Sequence, residues 1–263
     1  MVKKSETVQK MVTIKYNGRT GNKLFSYCFA RILAIKNNLK LETEWPDQDF
    51  LKTTPHEPGE IYDKPVVKIR DLYWDDHQKD HLANNYRKHR VYCDGFFQNC
   101  RYYNNNKELV KTFFELPPIK KRSSNEIVAH WRIGDYHEVR PKGSPTGSVI
   151  RQDWYTTILM HKLKFNIKKN KLYIVTDSPN DKLMHKLHRF RPEIIHQSPK
   201  DDFNFIRQFD NIICGNSSFS WFAAYLSDAK KIFTFSRWIN EPHKNIVRLA
   251  GMRGATQVQG NWI

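Results

Sequence analysis

The chain has 263 residues, enough for one large domain or two small ones, each with a core of its own. Hydrophobic residues at 39% and aromatics at 13% exclude a mostly disordered chain. Forty-four Lys and Arg against 27 Asp and Glu leave a net charge of +17, which points to an anionic partner or to a merely solubilising surface.

Met11–Tyr16 reads as a first strand, and Asn17-Gly18-Arg19-Thr20-Gly21 as a turn. Asn22–Asn37 follows as a helix with apolar residues at Leu24, Phe25, Cys28, Phe29, Ile32 and Leu33, a two-residue stripe repeating every four. Leu39–Leu41 starts a second strand and completes a βαβ-like opening. Trp45–Pro65 holds four prolines and no helical period, so a loop is expected there. Strands at Val66–Ile69 and Arg90–Cys93 and a helix over Lys107–Phe114 come next. Pro117-Pro118 and the basic run to Ser124 form the best linker. Beyond it strands are expected at Glu126–Ala129, Lys171–Thr176, Glu193–His196, Asn211–Cys214 and Lys231–Phe235. They alternate with helices at Asp153–Leu163, Pro179–His188, Asp202–Phe209 and Ser217–Leu226, Ser178 serving as N-cap before Pro179. The pattern is α/β, two Rossmann-like domains over residues 11–123 and 124–263.

Cys28, Cys93, Cys100 and Cys214 form no Cys-x-x-Cys and no zinc-finger spacing, so reduced, mostly buried thiols are expected. No apolar run is long enough to cross a bilayer, and the first ten residues lack an apolar signal core. A cytoplasmic location follows as the expectation, with peripheral contact to an anionic membrane as one partner.

Chemistry concentrates in two segments that each follow a short apolar run: His130-Trp131-Arg132-Ile133-Gly134-Asp135-Tyr136 and Asn216-Ser217-Ser218-Phe219-Ser220-Trp221. Ligands of open α/β sheets gather at carboxyl ends of strands. A guanidinium at one such end and a hydroxyl-rich helix start at another suit a diphosphate, since the planar fork and the unpaired N–H groups both donate to phosphate oxygens. Strand alternation puts His130 and Arg132 on one face, where both can meet one ligand. The competing reading of Arg132 is a local pair with Asp135. Gly18 and Gly21 sit between strand and helix, where the backbone approaches a ligand closely, but their spacing is not that of a dinucleotide turn. Asp177 ends a strand beside Ser178 and is placed to accept from a base or ribose, while Ser178 caps a helix equally well. Asp75, Asp76, Asp94 and Asp135 are candidate general bases. His77 and His81 lack the Glu of a metalloprotease helix, and Asp47-Gln48-Asp49 lies in the proline-rich loop rather than after a strand. No metal and no other cofactor is expected.

Four segments stand in order: Gly18–Phe25 leading into Ser26–Ala30, Asp94–Gln98 leading to Tyr102-Tyr103, His130–Tyr136, and Asn216–Trp221 with Trp238 beyond. Together they resemble the α-1,2-fucosyltransferases of glycosyltransferase family eleven and, more distantly, the protein O-fucosyltransferases. The resemblance implies a GT-B-like pair of facing Rossmann domains. It also implies metal-independent, inverting transfer of L-fucose from GDP-β-L-fucose to a glycan hydroxyl. Arg132 would grip the diphosphate, His130 the nucleoside, Asp177 or Ser178 the guanine, and Ser217 and Ser218 the phosphates, with Asn216 leading that turn. Asn22 would face the donor from the acceptor-side domain, and Asp135 or Asp94 would take the acceptor proton. The alternatives are another GDP- or UDP-sugar transferase on the same scaffold, or a basic nucleic-acid-binding protein, for which no recognisable motif is present.

Overall fold

The computed structural model describes residues 11–43, 66–71, 81–83, 85–138, 149–236 and 252–259. The chain forms two compact units by more than a single cut, residues 1–98 with 108–115 and residues 99–107 with 116–263.

In the first unit β1 (Met11–Lys15), β2 (Lys40–Glu42), β3 (Val66–Asp71) and β4 (Arg90–Gly95) form a parallel sheet in the order β2-β1-β4-β3. The helix α1 (Thr20–Asn37) crosses from β1 to β2, and its expected stripe from Leu24 to Leu33 is fully buried. Phe29 of that stripe stacks on Phe97 with centroids 4.0 Å apart. The helix starts two residues before Asn22, with Arg19 at the N-cap position. It ends on Asn38 in the left-handed region (φ 52°), which asparagine tolerates better than most residues. A short helix α2 (Lys107–Lys111) ends well before the expected Phe114.

The second unit carries a six-stranded parallel sheet in the order β10-β9-β8-β5-β6-β7. Its strands are β5 (Glu126–Trp131), β6 (Lys171–Thr176), β7 (Glu193–Ile195), β8 (Asn211–Cys214), β9 (Lys231–Phe235) and β10 (Ala255–Val258). Parallel strands are covered on both faces, which is why the central ones read as continuous apolar runs: β5 is buried from Ile127 to Trp131 and β8 throughout. The helices are α3 (Gly134–Glu138), α4 (Gln152–Thr157), α5 (Pro199–Ile206) and α6 (Ser218–Tyr225). Trp131, Trp154 and Tyr155 fill the core beside β5, and each indole nitrogen finds a carbonyl: Trp131 donates to Ile150 and Trp154 to Val258, both at 3.0 Å. Residues 99–107 belong to this unit through Tyr103, which packs edge-on against Trp221, Phe222 and Tyr225 of α6 and accepts the Tyr225 hydroxyl on its carbonyl at 2.7 Å.

The second unit also differs from expectation in several elements, among them α3, which the sequence did not announce. The helix expected at Pro179–His188 is a 3-10 helix over Lys182–Phe190, and its N-cap is Asp181, which accepts from the Leu183 N–H, not Ser178. Met184, Leu187 and Phe190 are buried at a strict spacing of three, the period of that helix. The Ser-Pro start works instead at Ser198-Pro199, where the serine hydroxyl accepts from Asp201 N–H and α5 begins. α4 continues into a π-turn, Ile158–Lys162. β10 was not expected, because only Val258 of its four residues is buried.

Among the described residues no helix is long and apolar enough to cross a membrane. All four cysteines are free, and burial pushes the Cys28, Cys93 and Cys214 thiols up, which keeps them protonated and inert.

Candidate functional site

In the second unit the strand order reverses between β5 and β8: β6 and β7 lead away on one side, β9 and β10 on the other. The crevice outside the carboxyl ends at such a reversal is where open parallel sheets hold ligands. His130 stands there on β5, in register with Cys214 on β8. Gly215 lets the two strand ends close, since a Cβ at that position would lie 2.9 Å from the His130 carbonyl oxygen and 3.0 Å from the Tyr155 hydroxyl. That hydroxyl donates to the same carbonyl at 3.0 Å.

Just past β5, Arg132 is held by Asp135: Nε donates to Oδ1 at 2.9 Å, and a terminal nitrogen lies 2.9 Å from the same oxygen and 3.1 Å from Oδ2. Its guanidinium also lies 5.0 Å from the Tyr136 ring centroid, and its Nε is 3.9 Å from Asp177 Oδ2. The local pair and the crevice position therefore coexist. Three of the fork's five N–H groups remain outside the Asp135 pair, and the pair fixes the plane in which they point. Asp177 Oδ1 accepts from the N–H groups of Ile133 and Gly134 at 2.9 and 3.1 Å, so this carboxylate pins the turn that carries Arg132. Gly134 leaves room beside it: a Cβ would come within 3.1 Å of both Asp177 Oδ2 and the Ser178 hydroxyl. Ser178 is held from behind, its N–H donating to Thr176 Oγ1 at 3.2 Å.

On the β8 side Asn216 and Ser217 are buried and Ser218 is half-buried. Ser217 occupies the N-cap position of α6, yet its hydroxyl makes no capping bond and, though buried, has no hydrogen-bond partner among the described residues. His130 Nδ1, Thr234 Oγ1 and Ser236 Oγ share that condition. All four lie at or just past the carboxyl ends of β5, β8 and β9, and Thr234 is in register with Cys214, as Cys214 is with His130. An unpaired buried polar atom costs about 1–3 kcal/mol, so four along one sheet edge mark a place where a polar ligand or ordered water belongs. Tyr136 ties the two sides together: its ring lies under Arg132 and its hydroxyl donates to the Asn216 carbonyl at 3.3 Å. His130 and Phe219 rings, 5.8 Å apart, do the same from the other side.

Burial, with the Arg132 charge adding to it, lowers the His130 pKa to about 4, against the weaker pull of Asp177. The imidazole is neutral at physiological pH.

In the first unit the order reverses between β1 and β4. Gly18 has φ +73°, and a Cβ there would collide with Asn22 Nδ2, so only glycine fits. Gly21 is buried in the first turn of α1. The Gln98 amide donates to Asn22 Oδ1 at 2.6 Å, and Asn17 Nδ2 donates to Asp94 Oδ1 at 3.3 Å, with Lys15 3.6 Å from the same oxygen. Asn22, Asp94 and Gln98 thus gather at this second reversal.

Reading the sequence alone gave Tyr136 no role of its own and missed Tyr155, Gly215, Thr234 and Ser236. Gly215 had a visible cue, a glycine directly after a buried strand. The hydroxyls of β9 looked like ordinary strand residues. Asp47, Asp49, Asp75, Asp76, His77 and Trp238 lie outside the described residues. Among the described residues no three His, Cys, Asp or Glu side chains group as a metal site requires.

No family profile and no curated protein matches the sequence. Solved structures do match by shape. A mutant of Arabidopsis thaliana FUT1 in complex with GDP aligns over 88% of this chain and 71% of its own, at 10% identity and a TM-score of 0.52. NodZ α-1,6-fucosyltransferase soaked with GDP-fucose aligns over 92% and 91% at 11% identity and 0.44. Fucosyltransferase NodZ from Bradyrhizobium aligns over 93% and 92% at 12% and 0.45. The fold of this chain is thus the α/β fold of FUT1, with two Rossmann-like parallel sheets.

Proposed function

We propose that the protein is a fucosyltransferase, moving L-fucose from GDP-β-L-fucose to a glycan hydroxyl with inversion, in α-1,2 linkage and without a metal. The observation that carries this is the edge of unpartnered buried polar atoms beside Arg132 at the β5/β8 reversal. As the bond from the anomeric carbon to the β-phosphate oxygen breaks, its electron pair goes to the diphosphate. Arg132 and the first-turn N–H groups of α6 are fixed donors for that growing charge, and donors that need not reorganise favour the transition state over the ground state. Neutral His130 offers Nδ1 to the nucleoside without adding charge. With both oxygens of Asp135 engaged by Arg132, its proposed role is to orient the guanidinium. The acceptor is assigned to the first unit.

The test is a thermal-shift panel of GDP, UDP and ADP together with turnover of GDP-fucose and other nucleotide sugars. GDP at a hundredfold over its Kd is expected to add about 2.7 kcal/mol, with UDP and ADP adding much less. Equal shifts with all three remove the guanine assignment, and turnover of another sugar nucleotide in place of GDP-fucose removes the fucose assignment.

A further inference from the structure

Away from the reversal, the second unit carries two segments without a single carboxylate. Residues 160–170 hold Lys162, Lys164, Lys168 and Lys169, and residues 182–191 hold Lys182, Lys186, Arg189 and Arg191. The fold joins them, for Phe165 meets Phe190 edge-on with ring centroids 5.4 Å apart. Residues three apart stand in line on a 3-10 helix. Met184, Leu187 and Phe190 make the buried line, and Lys182, His185, His188 and Arg191 make an exposed one. Lys186 and Arg189 extend the exposed surface beside it. Among the described residues none of the eight cations takes part in an ion pair, whereas Lys171 at the start of β6 is neutralised by Glu193 at 2.7 Å.

Set among the lysines are Met160 and Ile167, 44% and 43% exposed, two of the four large hydrophobic residues so exposed among the described residues. The 160–170 segment leads into the amino end of β6, and Arg189 and Arg191 precede the amino end of β7. The patch therefore lies toward the edge of the sheet opposite His130 and Arg132.

We infer that this face docks on an anionic phospholipid bilayer, the lysines and arginines against the headgroups and Met160 and Ile167 in the acyl boundary beneath them. A polybasic surface attracts acidic lipid, and exposed apolar side chains between the cations gain burial there. A nucleic acid would satisfy the charge but leave Met160 and Ile167 in water. The inference is independent of the sugar-transfer reading.

Co-sedimentation of the full chain with vesicles tests it, comparing phosphatidylcholine alone with phosphatidylcholine plus phosphatidylserine. Binding is expected only to the second, weakening as salt is raised. Each lysine near an anionic surface is worth about fivefold in binding, so Lys164→Gln, Lys168→Gln and Lys169→Gln together are expected to weaken it on the order of a hundredfold. Lys36→Gln, Arg87→Gln and Lys88→Gln remove the same charge from exposed positions of the first unit and are expected to retain binding. Ile167→Ser is expected to weaken binding severalfold at unchanged charge. Circular dichroism and melting temperature check that each variant is folded. Three results overturn the inference: no preference for phosphatidylserine, equal loss in both triple variants, or patch-dependent binding of single-stranded RNA without vesicle binding.

Discussion

Arg132 and Asp135 stand three residues apart, with Asp135 Oδ1 2.9 Å from both Nε and a terminal nitrogen of the guanidinium and Oδ2 3.1 Å from that same terminal nitrogen. Such a pair holds a cation in one orientation before any ligand arrives. Arg132→Lys keeps the charge and loses the plane, so turnover is expected to fall about a hundred- to thousandfold, nearly as far as in Arg132→Ala. Both variants are expected to stay folded, because the side chain lies at a crevice and not in the core. Asp135→Asn is expected to weaken GDP binding about tenfold by loosening the fork. Steady-state kinetics, GDP titration and melting temperature on the three variants decide it, and near-native turnover in the lysine variant removes the clamp.

The position of Asn22 inside α1, with Arg19 at the N-cap, separates its role from helix capping. Asn22→Ala and Gln98→Ala are each expected to cost about 1 kcal/mol, because each removes the 2.6 Å bond between the two amides. In a double-mutant cycle the pair is expected to couple by at least about 0.5 kcal/mol. Additive losses in urea melts refute the pairing.

Gly215→Ala puts a methyl between the ends of β5 and β8, against the His130 carbonyl and the Tyr155 hydroxyl. The expected cost is about 1–3 kcal/mol, accompanied by weaker GDP binding, because the strand ends that carry both halves of the site move apart. Full GDP affinity in this variant would show that the crevice does not depend on their closeness.

His130 gives the stability curve a definite sign. Its folded pKa, about 4, lies below its ordinary 6.5, so the folded state binds fewer protons between those values. Its contribution is complete above pH 6.5 and is lost as pH falls toward 4, by up to roughly 3 kcal/mol. His130→Asn does not titrate and is expected to show a shallower fall in melting temperature across that window. Parallel curves for the two proteins count against a neutral buried imidazole.

Turnover is expected to be complete in excess EDTA, since Arg132 and the α6 N–H groups balance the diphosphate charge. Activity lost on chelation and restored by manganese or magnesium overturns this, with Asp47 and Asp49 the first residues to substitute.

Much of this architecture was legible because parallel strands buried on both faces leave apolar runs that need no alternation, as in Ile127–Ala129 and Ile212–Cys214. The stripe of α1 was equally plain. Helix starts were less so. Ser178-Pro179 and Ser198-Pro199 carry the same local signature, and only the second caps a helix. The difference is tertiary: Ser178 is held by Thr176 and packs beside Gly134. The Arg132–Asp135 pair was visible as a spacing of three, but the hold of Asp177 on the Ile133 and Gly134 N–H groups spans more than forty residues and leaves no local trace. β10 was hidden because an edge strand buries a single side chain.

The central place of β5 in its sheet has a consequence during synthesis. It is the first strand of its unit to leave the ribosome, and its partner β8 ends 83 residues later, at Cys214. At ordinary elongation rates that is on the order of 4–17 s in which an apolar, unpaired strand has a bare edge on that side. A chaperone that covers nascent β5 would act in that interval.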